Sequence, residues 1–171
     1  DTIEIKGKKP LIDTITYTLF GPVMYDHSFS AAKGSEKYYA VRWKAHDPSN
    51  EMMIFYELDH AKNYDDYAKA IKYLSCPGQN PVFASKNGDI AIWQQGDFPA
   101  KWRRQGDFIM EGYDSTYLWR GIIPQSENPN MKNPARGYVS SANQLSVDST
   151  YPYYTGVSFP VYRGYIINRK L

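Results

Sequence analysis

Side-chain amides gather at turn mouths in this sequence. Gln79-Asn80 follows Pro77-Gly78 and precedes Pro81, and Asn143-Gln144 follows Ser141-Ala142. Asn80 is the most constrained of the four. A turn lies behind it, and a residue before proline is pushed to extended geometry. By residue type alone turn capping is the favoured role, because Asn readily hydrogen-bonds nearby backbone in turns.

Other constellations with chemical potential are weaker. Lys101-Trp102-Arg103-Arg104 could hold a carboxylate or phosphate, with Trp102 stacked on an arginine, but solvated charge runs of this kind are common. His27, His46 and His60 have no metal-ligand spacing and no cysteine partners, so structural roles are expected. Asp65-Asp66 suits the positive end of a helix better than paired acid–base catalysis. Ser141 lies in nothing like a nucleophile elbow, and no phosphate-cradling glycine motif occurs. Cys76 is the only cysteine, which excludes an internal disulfide, and it reads as structural.

The elements that would position these groups are mostly strands. Residues 14–19 alternate Thr with Ile, Tyr and Leu at period two, and Gly21-Pro22 ends that strand. Residues 38–44 repeat the pattern, with Tyr39, Val41 and Trp43 on one face, and the apolar run 52–57 is consistent with a third, buried strand. One helix is clear. Asn63 caps it, and Tyr64, Tyr67, Ala68, Ile71 and Leu74 recur at helical spacing until Ser75–Gly78 stops it. Two apolar runs flank Asn87-Gly88, a hairpin signal that predicts a type I′ turn with positive φ at both residues. Residues 110–134 have ordered-loop composition, 137–142 suggest a further strand, and the aromatic segments 151–154 and 159–167 are expected to pack. Gln-Gly-Asp-Phe occurs at 95–98 and 105–108, which is too short to define a repeat.

These elements make an α+β, β-rich chain with antiparallel sheets, one helix and no internal boundary over 1–171. The 171 residues, 42% hydrophobic and 22% charged, suit a single domain with a core. Aromatics reach 16%, including 16 Tyr, as half-buried pleated surfaces favour. A formal net charge of +2 argues against nucleic acid or an anionic membrane as partner. No apolar run has transmembrane length and no signal peptide is present, and both ends read as cut.

The order of short motifs resembles the β-chain of the penicillin acylase family. Pro77-Gly78-Gln79-Asn80, Ala84, Asn87-Gly88-Asp89-Ile90 and Gly96-Asp97-Phe98-Pro99 follow its pattern of Asn, Tyr-Ala-Asp, Gly-Asn-Ile-Gly-Tyr and Gly-x-x-Pro-x-Arg. Trp119 to Pro124 is similar to its Trp-x-Gly-x-x-Pro. Asn133-Pro134 through Tyr138-Val139 to Ala142-Asn143-Gln144 is similar to its Asn-Pro-x-x-Gly-[Phe/Tyr]-[Ile/Val] and Ala-Asn-Asn. Gly21-Pro22-Val23, Arg42-Trp43, Tyr151-Pro152 and Arg163-Gly164 to Asn168 match further landmarks.

The resemblance implies an N-terminal nucleophile hydrolase with an αββα sandwich, autoprocessed and typically exported to the periplasm. Such an enzyme cleaves an amide through an acyl-enzyme, with substrates such as β-lactam antibiotics or acyl-homoserine lactones. It places Asn80 at the side-chain donor of the oxyanion hole, where an N–H fixed from both sides needs little reorganisation as charge develops. Gln79, Asn143 and Lys101 become pocket-wall or supporting groups, with turn capping equally open for Gln79 and Asn143. The sequence departs from the pattern at Ser85, where the family has Asp, and at Lys101, where its Arg stands unless displaced to Arg103. Lysine lacks the planar fork of arginine. The matched region lies downstream of the family's nucleophile, and Asp1 is not one, so the isolated chain is expected to be inactive. No cofactor and no metal are expected. The partners implied are the remaining α- and β-chain segments and a small amide substrate, with self-association expected for the isolated piece. The alternative is a non-catalytic, aromatic-rich domain that binds glycans or protein.

Overall fold

The computed structural model describes residues 1–32, 36–156 and 160–171. They fall into two compact units: Asp1–His46 with Ile109–Leu118, and Asp47–Phe108 with Trp119–Leu171.

The first unit carries short antiparallel pairings. β1 (Thr2–Ile3) pairs with β2 (Leu11–Ile12), and β3 (Tyr17–Thr18), β4 (Gly21–Tyr25) and β5 (Tyr39–Ala40) form a three-stranded sheet in that order. Gly21 does not end a strand as its composition suggested. It opens β4, with φ +102° and no room for a Cβ against the Val41 carbonyl. Thr18 closes the turn into it by donating its hydroxyl to Gly21 O at 3.1 Å. The strand expected over 38–44 is confined to Tyr39–Ala40, and Lys44–His46 turns into a 3-10 helix.

The second unit holds the helices and the third sheet. The run expected as a strand at 52–57 is helical: α1 spans Met52–His60. A short apolar run fits either period, and packing decided between them. Ile54 and Leu58, one turn apart, face a core of Tyr67, Ile71 and Leu74, with Phe83 and Trp93 packed against it. α2 (Tyr64–Ala70) starts as expected, with Asp66 N–H donating to Asn63 Oδ1 at 2.9 Å. Asp66 returns the favour by accepting from Lys62 N–H at 3.1 Å, a variant of the reciprocal capping box. The helix continues as a 3-10 turn over Ile71–Tyr73.

The expected hairpin forms, β6 (Val82–Ala84) against β7 (Ile90–Trp93), with Val82 opposite Ile92. Its turn differs from expectation. Gly88 N–H donates to Ser85 O, and only Gly88 takes positive φ, at +91°. This is a three-residue loop closed by a left-handed glycine rather than a type I′ turn. β7 is central because β8 (Asn130–Lys132) joins its other edge. Asn133 then locks the sheet end, accepting from Ile90 N–H at 2.9 Å and donating to Asp89 Oδ1 at 2.7 Å.

Residues 137–142 form no strand. They run as loop beside α3 (Tyr162–Lys170), with Ser140 Oγ–H donating to Asn168 Oδ1 at 2.8 Å. Thus, among the described residues, two α-helices accompany the single one expected, while the α+β, β-rich class with antiparallel sheets holds. Phe159, the first residue of the aromatic segment 159–167, lies outside the described residues.

Candidate functional site

Asn80 sits between two anchored neighbours. Gln79 exchanges both backbone hydrogen bonds with Gln95, at 2.9 and 2.8 Å. The Pro81 carbonyl accepts from Trp93 N–H at 3.1 Å and from the Tyr67 hydroxyl at 2.8 Å. Burial pushes the Tyr67 phenol up to about 12, with Tyr64 adding to the shift, so the donor keeps its proton.

Behind this mouth two backbones nearly touch. A Cβ on Gly96 would lie 2.9 Å from Gly78 Cα, and one on Gly78 would lie 2.6 Å from the Phe98 ring. The Asp97 carboxylate ties the same region, accepting from Ser75 Oγ–H at 2.7 Å and from Gln125 Nε2 at 2.9 Å. Ile123 N–H donates to Phe98 O at 2.8 Å, and Ala100 and Arg120 to Gly121 exchange backbone bonds alongside. Three motifs distant in sequence, 77–80, 96–99 and 119–124, are therefore joined in one structure behind the Gly78 turn that precedes Asn80.

The Asn80 amide is not consumed by its own turn. Its Nδ2 donates to Ser141 Oγ at 2.8 Å, across 61 residues, and this is its one side-chain hydrogen bond among the described residues. Ser141 is itself held. The Gln144 carboxamide spans it, accepting from Ala142 N–H at 2.6 Å and donating to Ser140 O at 2.9 Å. Asn143 turns away with φ +62° and accepts from Arg163 Nη1 at 3.0 Å. Of the expected site residues, then, Asn80 and the Asn143 segment come together through Ser141, and the Gln79 side chain is exposed beside them.

Lys101 is placed elsewhere in the same unit. It lines a cavity of about 90 Å³ walled by Phe98, Pro99, Ile123, Pro129, Tyr151 and Tyr154, which Asn80, Gln79 and Asn143 do not reach. Gln94 also lines it, and its Oε1 is buried without a hydrogen-bond partner. Such a site combines apolar walls with a cation, which suits part of a small organic molecule. The rest of the basic tract diverges. Arg104 pairs with Asp107 at 3.4 Å, Arg103 is exposed, and the Trp102 ring lies 5.9 Å from Phe108.

The remaining candidates stay apart. His60 Nδ1 lies 2.7 Å from Tyr56 O, His46 packs on Trp43, and His27 on Tyr38. Among the described residues no group of three or more His, Cys, Asp or Glu is placed to hold a metal ion. No described helix is long and apolar enough to cross a membrane. Cys76 is a free, half-buried thiol whose backbone N–H donates to Glu51 Oε1 at 3.0 Å. In sequence Gln144 stands among the amides at turn mouths without a role, and Ser141 is considered only as a nucleophile, since nothing local links either to Asn80.

The whole chain, residues 1–171, matches the penicillin amidase family. Acyl-homoserine lactone acylase QuiP of Pseudomonas fluorescens is 25% identical over 151 residues, spanning 88% of this chain and 18% of that protein. Its namesake from Pseudomonas aeruginosa is 24% identical over 163 residues, with the same shares. The chain thus spans about 18% of the length of the curated relatives it matches. The structure of a thermostable penicillin G acylase from Alcaligenes faecalis superimposes with a TM-score of 0.63 at 22% identity, over 91% of this chain and 28% of that one. At that identity the likeness is one of fold.

Proposed function

The chain belongs to the penicillin amidase family, and on that premise we propose that it is part of an amide hydrolase that removes an acyl group through an acyl-enzyme. Substrates of the class of β-lactam antibiotics or acyl-homoserine lactones fit this reading, the latter being what relatives are named for. Asn80 is the side-chain donor to the oxyanion. The nucleophile, its amine base and a backbone N–H donor lie on segments of the autoprocessed parent outside this chain, and an exported or periplasmic location goes with them. Lys101 and its cavity form part of the pocket wall.

One observation carries the assignment. The Asn80 amide is held by a single distant hydroxyl rather than by its own turn, which leaves its second N–H without a partner among the described residues. When the nucleophile adds to the substrate carbonyl, the oxygen takes up negative charge. A donor whose backbone is held by the Gln95 bridge and the Pro81 anchor, and whose amide is held by Ser141, meets that charge with little rearrangement. Collapse of the tetrahedral adduct expels the amine, and water then releases the acyl group.

The test is Asn80→Ala in the complete enzyme, assayed on a chromogenic phenylacetyl or fatty-acyl amide. The expected loss in kcat is on the order of a hundred- to a thousand-fold, about 2.7–4 kcal/mol, as for other oxyanion donors. KM and Tm move far less, because the interaction strengthens only in the transition state. A variant that keeps kcat but loses about 1 kcal/mol of stability would return Asn80 to a turn cap.

A further inference from the structure

We infer that Ser141 is a positioning residue that orients the Asn80 amide, with Gln144 as the brace that holds Ser141 in place. The inference rests on the reading of Asn80 as the oxyanion donor and adds the device that aims it.

An asparagine side chain with its backbone fixed still rotates about two bonds, and the terminal torsion is broad. The bridge at Gln79 and the anchor at Pro81 hold the Asn80 backbone but leave the amide plane free. The Nδ2–H···Oγ bond to Ser141, at 2.8 Å, supplies the missing restraint. One N–H is occupied, and the geometry of a planar amide then fixes the direction of the other. A serine hydroxyl can accept such a bond through its lone pairs, and that is the role Ser141 Oγ takes here.

A restraint of this kind works only if the partner is itself rigid. Ser141 is exposed, yet both flanking peptide groups are tied by one side chain. Gln144 accepts from Ala142 N–H and donates to Ser140 O, clamping the residues on either side. Ala142 is buried, and Gln144 packs against Gly164 of α3, where a Cβ would come within 3.4 Å of it. The hydroxyl is thus the end of a braced loop. Solvent alone would not hold an exposed serine at one angle to a second chain segment.

The experiment is a double-mutant cycle in the complete enzyme, with kcat and KM measured for Ser141→Ala, Asn80→Ala and the pair. Ser141→Ala is expected to lower kcat about tenfold with KM little changed, since loss of aim weakens transition-state contacts first. In the Asn80→Ala background Ser141→Ala should cost nothing further, because its action runs through the missing amide. Ser141→Thr, which keeps the hydroxyl, should restore most of the rate, and Tm should be unmoved throughout. If Asn80→Ala lowers kcat but Ser141→Ala does not, or lowers it equally in both backgrounds, the positioning role is overturned while the oxyanion reading stands. If Asn80→Ala itself leaves kcat intact, both fall.

Discussion

The Tyr67 hydroxyl donates to the Pro81 carbonyl at 2.8 Å, so a residue of α2 holds the strand mouth that carries Asn80. Tyr67 is 3% exposed, and the same contact joins the core to the candidate site.

Burial of this phenol makes the fold sensitive to alkali. The phenol rises from 10.0 to about 12 in the folded chain, chiefly by burial. Above its ordinary value the unfolded chain gives up this proton while the folded chain keeps it, so stability declines as pH rises between 10 and 12. Tyr67→Phe should cost about 0.5–1.5 kcal/mol at neutral pH and flatten that alkaline slope. Denaturant midpoints of both proteins across the window are the measurement, and parallel slopes would exclude Tyr67 as the source.

The close approach of Gly96 and Gly78 predicts intolerance of the smallest side chain. Gly96→Ala places a Cβ 2.9 Å from Gly78 Cα and should destabilise by about 1–3 kcal/mol. Gly112→Ala, at a position with nothing within 4 Å, is the neutral control. Equal melting temperatures for the two variants would mean that the contact relaxes at little cost.

The isolated chain should not turn over amides. Acyl transfer needs a nucleophile with its base in hydrogen-bond reach. The residue that carries the α-amine here is Asp1, whose side chain has no hydroxyl or thiol and whose amine donates to Asp13 O. Turnover of a phenylacetyl or fatty-acyl chromogenic amide by the purified chain would sink the proposed division of labour.

Two helices present apolar outer faces. On α1, Met52, Phe55 and Tyr56 are 74%, 62% and 58% exposed, and on α3, Tyr162, Tyr165 and Ile166 are 75%, 65% and 58% exposed. Unpartnered stripes of this kind associate in water. Sedimentation of the isolated chain should show association that grows with concentration and weakens in Phe55→Lys with Ile166→Lys. A strict monomer at high concentration would refute it.

Local chemistry was readable from the residues themselves. Asn63 before a helical repeat caps α2 because its side-chain oxygen meets an orphan N–H three residues on, a matter of covalent geometry. Asn87-Gly88 between apolar runs makes a hairpin for the same reason, although the loop is one residue longer than the turn type suggested. The order of motifs pointed to the family, and to Asn80, without any coordinates. Where two periods fit one short run, as at 52–57, only a core partner could choose, and Tyr67 and Ile71 chose helix for Ile54 and Leu58. β8 beside β7 is a pairing at long sequence separation, which no local signal encodes. The partner of Asn80 was hidden for the same reason. In sequence Gln144 is visible as an amide at a turn and Ser141 as an ordinary serine, and they acquire their place only when the loop beside α3 folds back across 61 residues to meet the amide.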